Sequence, residues 1–538
     1  MHKTTPLYHL LGVLASVSLA GCGGGGGQQP PPPPPPPPSY LVTVTPDSGG
    51  TVTPATQSVV KGDTASITLT ARSGFAIGSV ATGMLDSLGV LVDACDGSLQ
   101  GNVYTTSAIT GPCMVYVYFT NTPTTAPVTT TRVSVASDGT QANGDSGDPA
   151  MSSDARYVAF WSVASNLVAG DTNGYADIFV RDRQSGVTTR VSVASDGTQS
   201  NGISTAPAIS ADGRYVAFVS TASNLVAGDT NGVADLFVHD RLTGTTRRVS
   251  MAFDGGEANA DSGESALSAD GRYIAFTSYA SNLVANDTNG GWDVFVFDQL
   301  TQATTRVSVT SAGAEAMIVG EGSFRPSISA DGRYVAFESG ATNLVAGSNN
   351  GAIGAYVHDR STGTTICVSP DAIDPLYPCI GLAPAISSDG RHVAYASNTF
   401  DRMAGDPSVL GWNILVYDQA TTAQARASLT WQNAADLGGS LLPAMSADGS
   451  IVAFSSDSSG LVDGDRNAGN DIFIRDMTNQ VTGRASLPSG SGESFGSAPG
   501  AVRPALSGDG RHVAYASRSN TLVPADINQA TDIFVSEW

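Results

Sequence analysis

The sequence predicts an all-β protein: a seven-bladed β-propeller of four-stranded blades, preceded by a small β-rich domain. Three observations support this: a repeat of nearly fixed length, four strand-like segments in each repeat, and a displaced copy of the fourth segment ahead of the first repeat. The repeat occurs seven times between Thr131 and Trp538, with an aromatic residue ending its first half every 58 to 61 residues. A fixed period of this size, built from short strands, is typical of a closed ring of sheets. The aromatic residues are Phe160, Phe218, Phe276, Phe337, Tyr395, Phe454 and Tyr515.

Residues 207–250 show what one repeat contains. Its segments are rich in β-branched and aromatic residues, and none has helical periodicity. The pair Asp212-Gly213 supplies the backbone freedom that a tight hairpin turn needs. The four predicted strands are 207–210, 215–220, 235–239 and 245–250.

The two ends of the repeat region indicate how the ring closes. The seventh repeat stops at residues 532–538, after its third strand, and the missing fourth strand stands at residues 130–135. That segment matches residues 189–193 almost letter for letter. We therefore expect the early strand to complete the last blade and to leave no open edge. An open β-solenoid is the alternative, and it would need no displaced strand.

The repeats resemble the WD40-like β-propeller repeats of the TolB family. The resemblance depends on Ser-x-Asp-Gly-Arg-x-x-Ala-Phe at residues 210–218 and 268–276, followed by Asp-Ile-Phe-Val as at residues 177–180. It covers residues 130–538 and implies the propeller fold. The family includes periplasmic partner-binding proteins, and similar propellers precede some peptidase domains. No hydrolase domain follows here, so the resemblance implies binding rather than catalysis.

The N-terminus predicts export and a lipid anchor. Residues 1–21 have a positive start and an apolar stretch too short to span a bilayer. The end of that stretch, Leu-Ala-Gly-Cys22, resembles the bacterial lipoprotein box, which implies cleavage before Cys22, lipidation of its thiol and, with Gly23 next, retention in the outer membrane. An ordinary secretory signal is the alternative. The glycines and prolines of residues 22–39 predict a tether that holds the folded part away from the membrane.

Residues 40–121 are expected to form a separate β-rich domain, joined to the ring by a linker at 122–129. The segments Tyr-Leu-Val-Thr-Val-Thr-Pro from Tyr40 and Gly-Thr-Val-Thr-Pro from Gly50 resemble the divergent internalin B-repeat modules of bacterial surface proteins. The resemblance implies a spacer or an adhesive unit.

Besides Cys22, the chain has four cysteines, which suit an oxidising compartment. Cys95 and Cys113 share the small domain, whereas Cys367 lies in the last strand of the fourth blade and Cys379 in the following loop. Two local disulfides are the simplest pairing. A metal site would need a tight cluster with nearby histidines, and the sequence does not offer one.

Charge and loop lengths bound the choice of partners. With 26 Lys and Arg against 48 Asp and Glu, the net charge is −22, which argues against nucleic acid and against anionic lipid. The long loops between the second and third strands, and between blades, collect on one face of the ring. Loops on a rigid scaffold are where binding usually occurs. We therefore expect a monomeric, lipid-anchored envelope protein that binds a protein or glycan with its long-loop face; a structural surface spacer is an alternative.

The long loops carry a candidate calcium motif, Asp-x-Asn-Gly-x-x-Asp. Oxygen ligands at this spacing in a tight loop suit a hard cation, although calcium takes about six to eight oxygens and only three side chains are visible. Ordinary turn chemistry, with the last aspartate hydrogen-bonded inside the blade, is the alternative. The motif is complete at Asp171/Asn173/Asp177, Asp229/Asn231/Asp235 and Asp287/Asn289/Asp293, and lacks its glycine at Asp465/Asn467/Asp471 and Asp526/Asn528/Asp532.

A catalytic site is not predicted. Residues 143–149 and 492–496 have the letters of serine-hydrolase motifs, but the first is a loop variant of the repeat and the second lacks a strand-to-helix elbow. The histidines after the signal substitute for other residues at repeat positions inside strands. A lyase- or lactonase-like enzyme with a site at the channel mouth is the rival hypothesis. Its candidate residues are Asp145, Asp148, Glu264 and Glu321.

Overall fold

The computed structural model describes most of the chain after residue 35. The described residues are 36–46, 50–71, 75–82, 84–85, 91–92, 95–121, 129–320, 322–346, 351–370, 379–398, 411–435, 438–463, 465, 467, 469–488 and 503–538. The predicted signal segment, the predicted lipidation site Cys22 and most of the predicted tether lie outside them. Two compact units are present: residues 1–45, 52–69 and 80–116 form one, and residues 46–51, 70–79 and 117–538 the other.

The strands before residue 122 form two four-stranded sheets and a short hairpin. The sheets have the orders β3-β1-β10-β5 and β2-β4-β9-β8, and β6 pairs with β7. Alternating valines and isoleucines such as Val42, Ile67 and Val115 are fully buried. The strands are β1 (Ser39–Pro46), β2 (Gly50–Thr53), β3 (Thr56–Val60), β4 (Ser66–Ala71), β5 (Phe75–Thr82), β6 (Met84–Leu85), β7 (Leu91–Val92), β8 (Gly97–Gln100), β9 (Val103–Thr106) and β10 (Cys113–Asn121).

Residues 129–538 form seven four-stranded antiparallel sheets within the part of the chain that is described. After β11 (Thr129–Arg132), blades one to three contain β12 (Ser146–Met151), β13 (Tyr157–Ser162), β14 (Asp177–Asp182) and β15 (Val187–Arg190); β16 (Ser204–Ile209), β17 (Tyr215–Ser220), β18 (Asp235–Asp240) and β19 (Thr245–Arg248); and β20 (Ser262–Leu267), β21 (Tyr273–Ser278), β22 (Asp293–Asp298) and β23 (Ala303–Arg306). Blades four and five contain β24 (Ser323–Ile328), β25 (Tyr334–Ser339), β26 (Gly354–Asp359) and β27 (Thr364–Cys367); and β28 (Leu382–Ile386), β29 (His392–Ser397), β30 (Asn413–Asp418) and β31 (Gln424–Arg426). Blades six and seven contain β32 (Ser440–Met445), β33 (Ile451–Ser456), β34 (Asp471–Asp476) and β35 (Val481–Arg484); and β36 (Ala505–Leu506), β37 (His512–Ser517) and β38 (Asp532–Glu537). The predicted all-β propeller class is confirmed.

The ring closes through the early strand, as predicted. β11 pairs antiparallel with β38, so the seventh sheet has the order β11-β38-β37-β36. The guanidinium of Arg132 lies 3.0 Å from the carboxylate of Asp526 and 3.5 Å from that of Asp532. The predicted strand ran to residue 135, whereas β11 ends at Arg132. The strand β11, which comes before the first blade in the sequence, thus completes the seventh blade.

The core lies between blades and is built from the repeat's aromatic residues. The ring of Phe160 packs at 6.0 Å from that of Phe179 on the next strand, and the same pair recurs as Phe218 with Phe237. These four side chains are fully buried. A buried ring of this size removes a large apolar area from water, so the aromatic period seen in the sequence is the period of the core.

A closed chain of backbone hydrogen bonds joins all seven blades around the central channel. In each turn between the first and second strands, one N–H donates to the carbonyl of the next blade at 2.8 to 3.0 Å, and Gly508 of the last blade donates back to Ser153 of the first. Inside this ring of hydrogen bonds the channel is constricted. The cavity there has a volume of about 160 Å³ and is bordered by aliphatic side chains such as Met151, Ile328 and Leu506. The linked residues are Ser153, Ala211, Ala269, Ala330, Ser388, Ala447 and Gly508.

In the described ranges, no helix is long and apolar enough to cross a bilayer.

Candidate binding site in the central channel

In six of the seven blades the innermost strand carries a bulge that turns one residue into the channel. In six blades the register between the first two strands shifts at the same place, for example between Gly147 and Ala150. Five residues at that place are non-glycines with φ of 45 to 53°. Such backbone costs about 1–2 kcal/mol per residue and concentrates at functional positions, where bulges re-aim side chains. These residues are Asp148, Ala206, Arg325, Ala383 and Leu442.

The bulge positions place charged groups around a cavity of about 500 Å³ in the channel. Four of the seven equivalent positions are charged: Asp148, Glu264, Arg325 and Arg503. We call these four residues the channel ring. The inner strands enter the channel from the long-loop face, so the channel ring lies on that side of the aliphatic constriction.

Arg325 is paired with a carboxylate that comes from the neighbouring strand. Its Nη1 lies 3.6 Å from Oε2 of Glu338 on β25, and the same oxygen accepts the N–H of Ala383 at 2.7 Å. Glu338 is only 6% exposed, and burial raises the pKa of its carboxyl, while Arg325 and the Ala383 N–H act in the opposite direction. The side chain of Arg325 itself stays about one-third exposed, at 36%.

The other members of the channel ring differ in how they are held. Asp148 accepts the indole N–H of Trp161 at 2.9 Å. Glu264 has a buried Oε2, and its neighbour Ser265 a buried Oγ, that find no hydrogen-bond partner among the described residues. Arg503 is exposed and has no ion-pair partner in the part of the chain that the structure describes. Buried polar atoms without a partner cost about 1–3 kcal/mol each, so these atoms mark a place where a ligand or water would bind.

The sequence found part of this site. Asp148 and Glu264 lie in the channel as expected, whereas Asp145 accepts the N–H of Thr531 at 2.7 Å and serves the closure of the ring. Glu321 lies outside the described residues. Both arginines and Glu338 were missed, although aligning the repeats would have found a charge where other blades have alanine or leucine.

The Asp-x-Asn loops contain an arginine at their centre. Nη1 of Arg190 lies 3.1 Å from Asp171 and 3.4 Å from Asp177, and Asn173 donates to Asp177 at 2.8 Å. Ser192 donates to the other Asp177 oxygen at 2.5 Å. These contacts support the turn interpretation, because a fixed cation already lies between the two carboxylates. The calcium prediction is not supported by this geometry.

The same arrangement recurs in four further blades, where the arginine contacts both motif aspartates at 2.7 to 3.5 Å. Across the described ranges, no group of three or more His, Cys, Asp or Glu side chains is placed to hold a metal ion. The sets are Arg248 with Asp229 and Asp235, Arg306 with Asp287 and Asp293, Arg484 with Asp465 and Asp471, and Arg132 with Asp526 and Asp532. Each asparagine also donates to the second aspartate; these are Asn231, Asn289, Asn467 and Asn528.

Burial sets the protonation of these loops. It raises the pKa of Asp171 and Asp229, and the nearby second aspartate adds to the shift. Burial and the adjacent Asp293 raise the pKa of Asp287 to about 6. Between pH 3.8 and about 6, the folded state therefore keeps a proton on Asp287 that the unfolded chain would release. Asp287 therefore stabilises the fold below the ordinary pKa of 3.8, and this contribution is lost as the pH rises through about 6.

Both predicted disulfides are present, Cys95–Cys113 and Cys367–Cys379. In blade four, the disulfide Cys367–Cys379 takes the place that the arginine and its aspartates have in blade one. Cys367 stands where Arg190 stands in blade one, and Cys379 bridges to Pro370 as Gln199 bridges to Val193. Gly354 replaces the second aspartate, and a Cβ there would lie 2.7 Å from Sγ of Cys379. The missing side chain thus makes room for the sulfur atoms.

The histidines and serine motifs have structural contacts. Nδ1 of His239 and of His358 lies 2.9 Å from a threonine hydroxyl inside the blade. Ser146, of the segment 143–149, is buried and bonded to Ser162 at 2.9 Å. Residues 492–496 lie outside the described ranges.

Comparisons with known proteins agree with this architecture at the level of the fold. A family model described as the divergent InlB B-repeat domain matches residues 40–79. No curated protein sequence matches the chain. Among solved structures, oligogalacturonate lyase from Vibrio parahaemolyticus has a TM-score of 0.45 at 13% identity and covers 78% of this chain and 96% of its own. The propeller domain of the Trilobed protease from Pyrococcus furiosus has a TM-score of 0.44 at 11% identity, with 73% of this chain and 95% of that one covered.

TolB from Acinetobacter baumannii is also similar, with a TM-score of 0.34 at 16% identity. The match covers 57% of this chain and 58% of TolB, so this chain spans little more than half of that protein. Identities this low concern the fold alone. The internalin B-repeat resemblance expected for residues 40–121 is confirmed over residues 40–79, and the resemblance to TolB-like propellers is confirmed as a likeness of fold.

Proposed function

We propose that this protein is a non-enzymatic binding protein of the bacterial cell envelope, anchored through a lipid on Cys22. Its long-loop face and the channel ring take a carboxylate-bearing group of a protein or glycan partner. The observation that carries the proposal is the pair of arginines at equivalent bulge positions, Arg325 and Arg503, in a channel of a chain whose net charge is −22. The negative surface selects against anions in general, so two inward cations define a local anion site.

The arginines suit a carboxylate because a guanidinium binds it through two parallel hydrogen bonds. Arg503 lacks an internal ion pair among the described residues, and Arg325 shares its charge only with Glu338 at 3.6 Å. The unpaired Oε2 of Glu264 and Oγ of Ser265 offer an acceptor and a hydroxyl for the polar groups beside that carboxylate. A purely structural spacer would have no reason to place such groups in the channel, or to keep Arg325 at a position with φ of 50°.

The test is calorimetric titration of the full chain with a uronic acid trisaccharide and, separately, with a glutamate-rich peptide. We expect one of them to bind, which identifies the source of the carboxylate, and the double substitution Arg325→Ala/Arg503→Ala to weaken binding at least tenfold. Arg511→Ala is the matched control, since Arg511 is an exposed arginine of the opposite, short-turn face. Unchanged affinity in the double variant would overturn the proposal.

An enzyme remains the second candidate, because of Glu338. Its buried carboxyl, with a raised pKa and an arginine at 3.6 Å, has the properties of a general acid or base. A lyase would release an unsaturated product from the same uronic acid oligosaccharide, which ultraviolet absorbance detects. Product formation that Glu338→Gln abolishes, with binding retained, would replace the binding proposal by this one.

A further inference from the structure

The seven blade junctions provide an internal comparison, because the same residues meet at each of them. At five junctions a threonine on the outermost strand donates its hydroxyl proton to a carbonyl of the preceding blade at 2.5 to 2.8 Å. At a sixth, the side-chain amide of Gln424 donates to the carbonyl of Pro370 at 3.5 Å. The threonines are Thr130, Thr188, Thr246, Thr365 and Thr482.

Two further polar groups support this contact. On the neighbouring strand a polar side chain reaches the threonine hydroxyl, as His239 does to Thr246 at 2.9 Å. At three junctions a loop serine of the preceding blade also bonds the threonine's backbone. Ser195, for example, accepts the N–H of Thr246 at 3.0 Å and donates to its carbonyl at 3.3 Å. The serine hydroxyl thus binds the backbone N–H and carbonyl that the outermost strand directs away from the rest of its sheet.

The junction between blades two and three lacks all three of these contacts. The threonine is present as Thr304, with the same register to its neighbouring strand, but that neighbour is Phe297 in place of histidine or arginine. The loop serine is replaced by Phe253, which is 66% exposed. In the described chain, no hydrogen bond joins Thr304 to the preceding blade, and the outward N–H and carbonyl of Thr304 have no serine to bind them.

A cavity of about 690 Å³ opens at this junction on the outer side of the ring. Its walls include Met251, Phe253, Val284 and Phe297, and Thr304 lies at its edge. The junction therefore combines a large crevice, walled in part by apolar side chains, with an unpaired backbone donor and acceptor. Both features are absent where the serine and the polar side chain are kept, as at the junction of Ser195 with Thr246.

We propose that this crevice binds an extended peptide segment of a partner protein, which pairs with the outer edge of β23 at Thr304 and buries one large apolar side chain between Phe253 and Phe297. A peptide supplies both the backbone groups that pair with Thr304 and the apolar side chain that enters the crevice. Its own carbonyl and N–H replace the serine hydroxyl, which accepts and donates in the same place at other junctions. A small apolar molecule would fill the volume but leave the Thr304 backbone groups without partners, which costs free energy.

The test is selection of a displayed random heptapeptide library on the full chain. The matched variant is Phe253→Ser/Phe297→His, which rebuilds the junction with the residues that blades one and two have at Ser195 and His239. It is used for counter-selection, and its melting temperature, which we expect to be at least that of the parent, shows that it folds. Enriched peptides should share one large apolar residue, and fluorescence polarisation should show at least tenfold weaker binding to the rebuilt variant.

A second measurement acts on the peptide and does not depend on any protein variant. An enriched peptide is resynthesised with single N-methyl groups along its backbone, and methylation at one position should weaken binding at least tenfold. Three results would overturn the proposal: no enrichment over the rebuilt variant, binding insensitive to every N-methyl group, or sedimentation showing a dimer that the rebuilt variant converts to monomers. The last would mean that a second copy of the chain fills the crevice.

Discussion

At the residue scale, the structure gives one arginine in each of five blades the role that a metal ion has in other acidic loops. Arg190 neutralises two carboxylates that are 5% and 0% exposed, and it does so from a strand 13 and 19 residues further along the chain. The loop is therefore stabilised by the blade it belongs to. The sequence showed the aspartates as a calcium-like motif because their counterion comes from a distant position, in Thr-Thr-Arg, that looks like ordinary strand.

This assignment predicts how the loops respond to calcium and to loss of the arginine. Arg190→Ala leaves Asp171 and Asp177 buried without their cation, which we expect to cost about 3–5 kcal/mol of unfolding free energy. Calcium and chelator should leave the melting temperature of the parent unchanged, since the arginine occupies the position of an ion. Urea unfolding measures the first and a melting series the second. A calcium-induced rise in the parent that Asp171→Ala removes would restore the metal interpretation.

At the element scale, blade four shows that one structural role can be filled by two chemistries. The cluster of arginine, aspartate and glutamine that joins the last strand to the following loop is replaced there by Cys367, Gly354 and Cys379 together. The three changes are linked, because an aspartate side chain at Gly354 would meet the sulfur of Cys379 at 2.7 Å and the hydroxyl of Tyr356 at 2.9 Å. The disulfide thus replaces the ionic cluster at the same positions of the repeat and is not an additional cross-link.

Restoring the ionic version should therefore give a folded protein whose fourth blade no longer responds to reduction. The triple substitution Gly354→Asp/Cys367→Arg/Cys379→Gln restores the arginine, the second aspartate and the glutamine of the blade-one cluster, while Ser348 stays in the place of its first aspartate. We expect a reducing agent to lower the stability of the parent by roughly 3 kcal/mol for each of its two disulfides, the chain-entropy value for loops this short, and to lower that of the triple variant by the Cys95–Cys113 contribution alone. Gly354→Asp alone is the control and should be destabilised. Equal sensitivity of parent and triple variant to reduction would contradict the equivalence.

At the scale of the whole molecule, the repeat period, the strands and the ring closure could be predicted because each blade is encoded locally by an alternating pattern and an Asp-Gly turn. The site could not be predicted as well. Arg325 and Arg503 lie 178 residues apart in the sequence and line the same cavity only because equivalent positions of blades four and seven face one channel. The crevice at Thr304 was missed for the opposite reason: it is defined by contacts that one junction lacks, and a single repeat does not reveal them.

The closing strand carries the last prediction. Removing residues 129–135 takes away the partner of β38 and also Arg132, the counterion of Asp526 and Asp532, whose side chains are 4% and 0% exposed. The ring would keep an unpaired edge at β38 and two buried carboxylates, so we expect a lower melting temperature and association through the open edge. Size-exclusion chromatography and thermal unfolding measure both. Arg132→Ala separates the causes: it should lower stability as Arg190→Ala does while the protein stays monomeric, because the strand itself remains. A shortened chain that is monomeric, with the melting temperature of the parent, would show that the ring does not depend on this strand for closure.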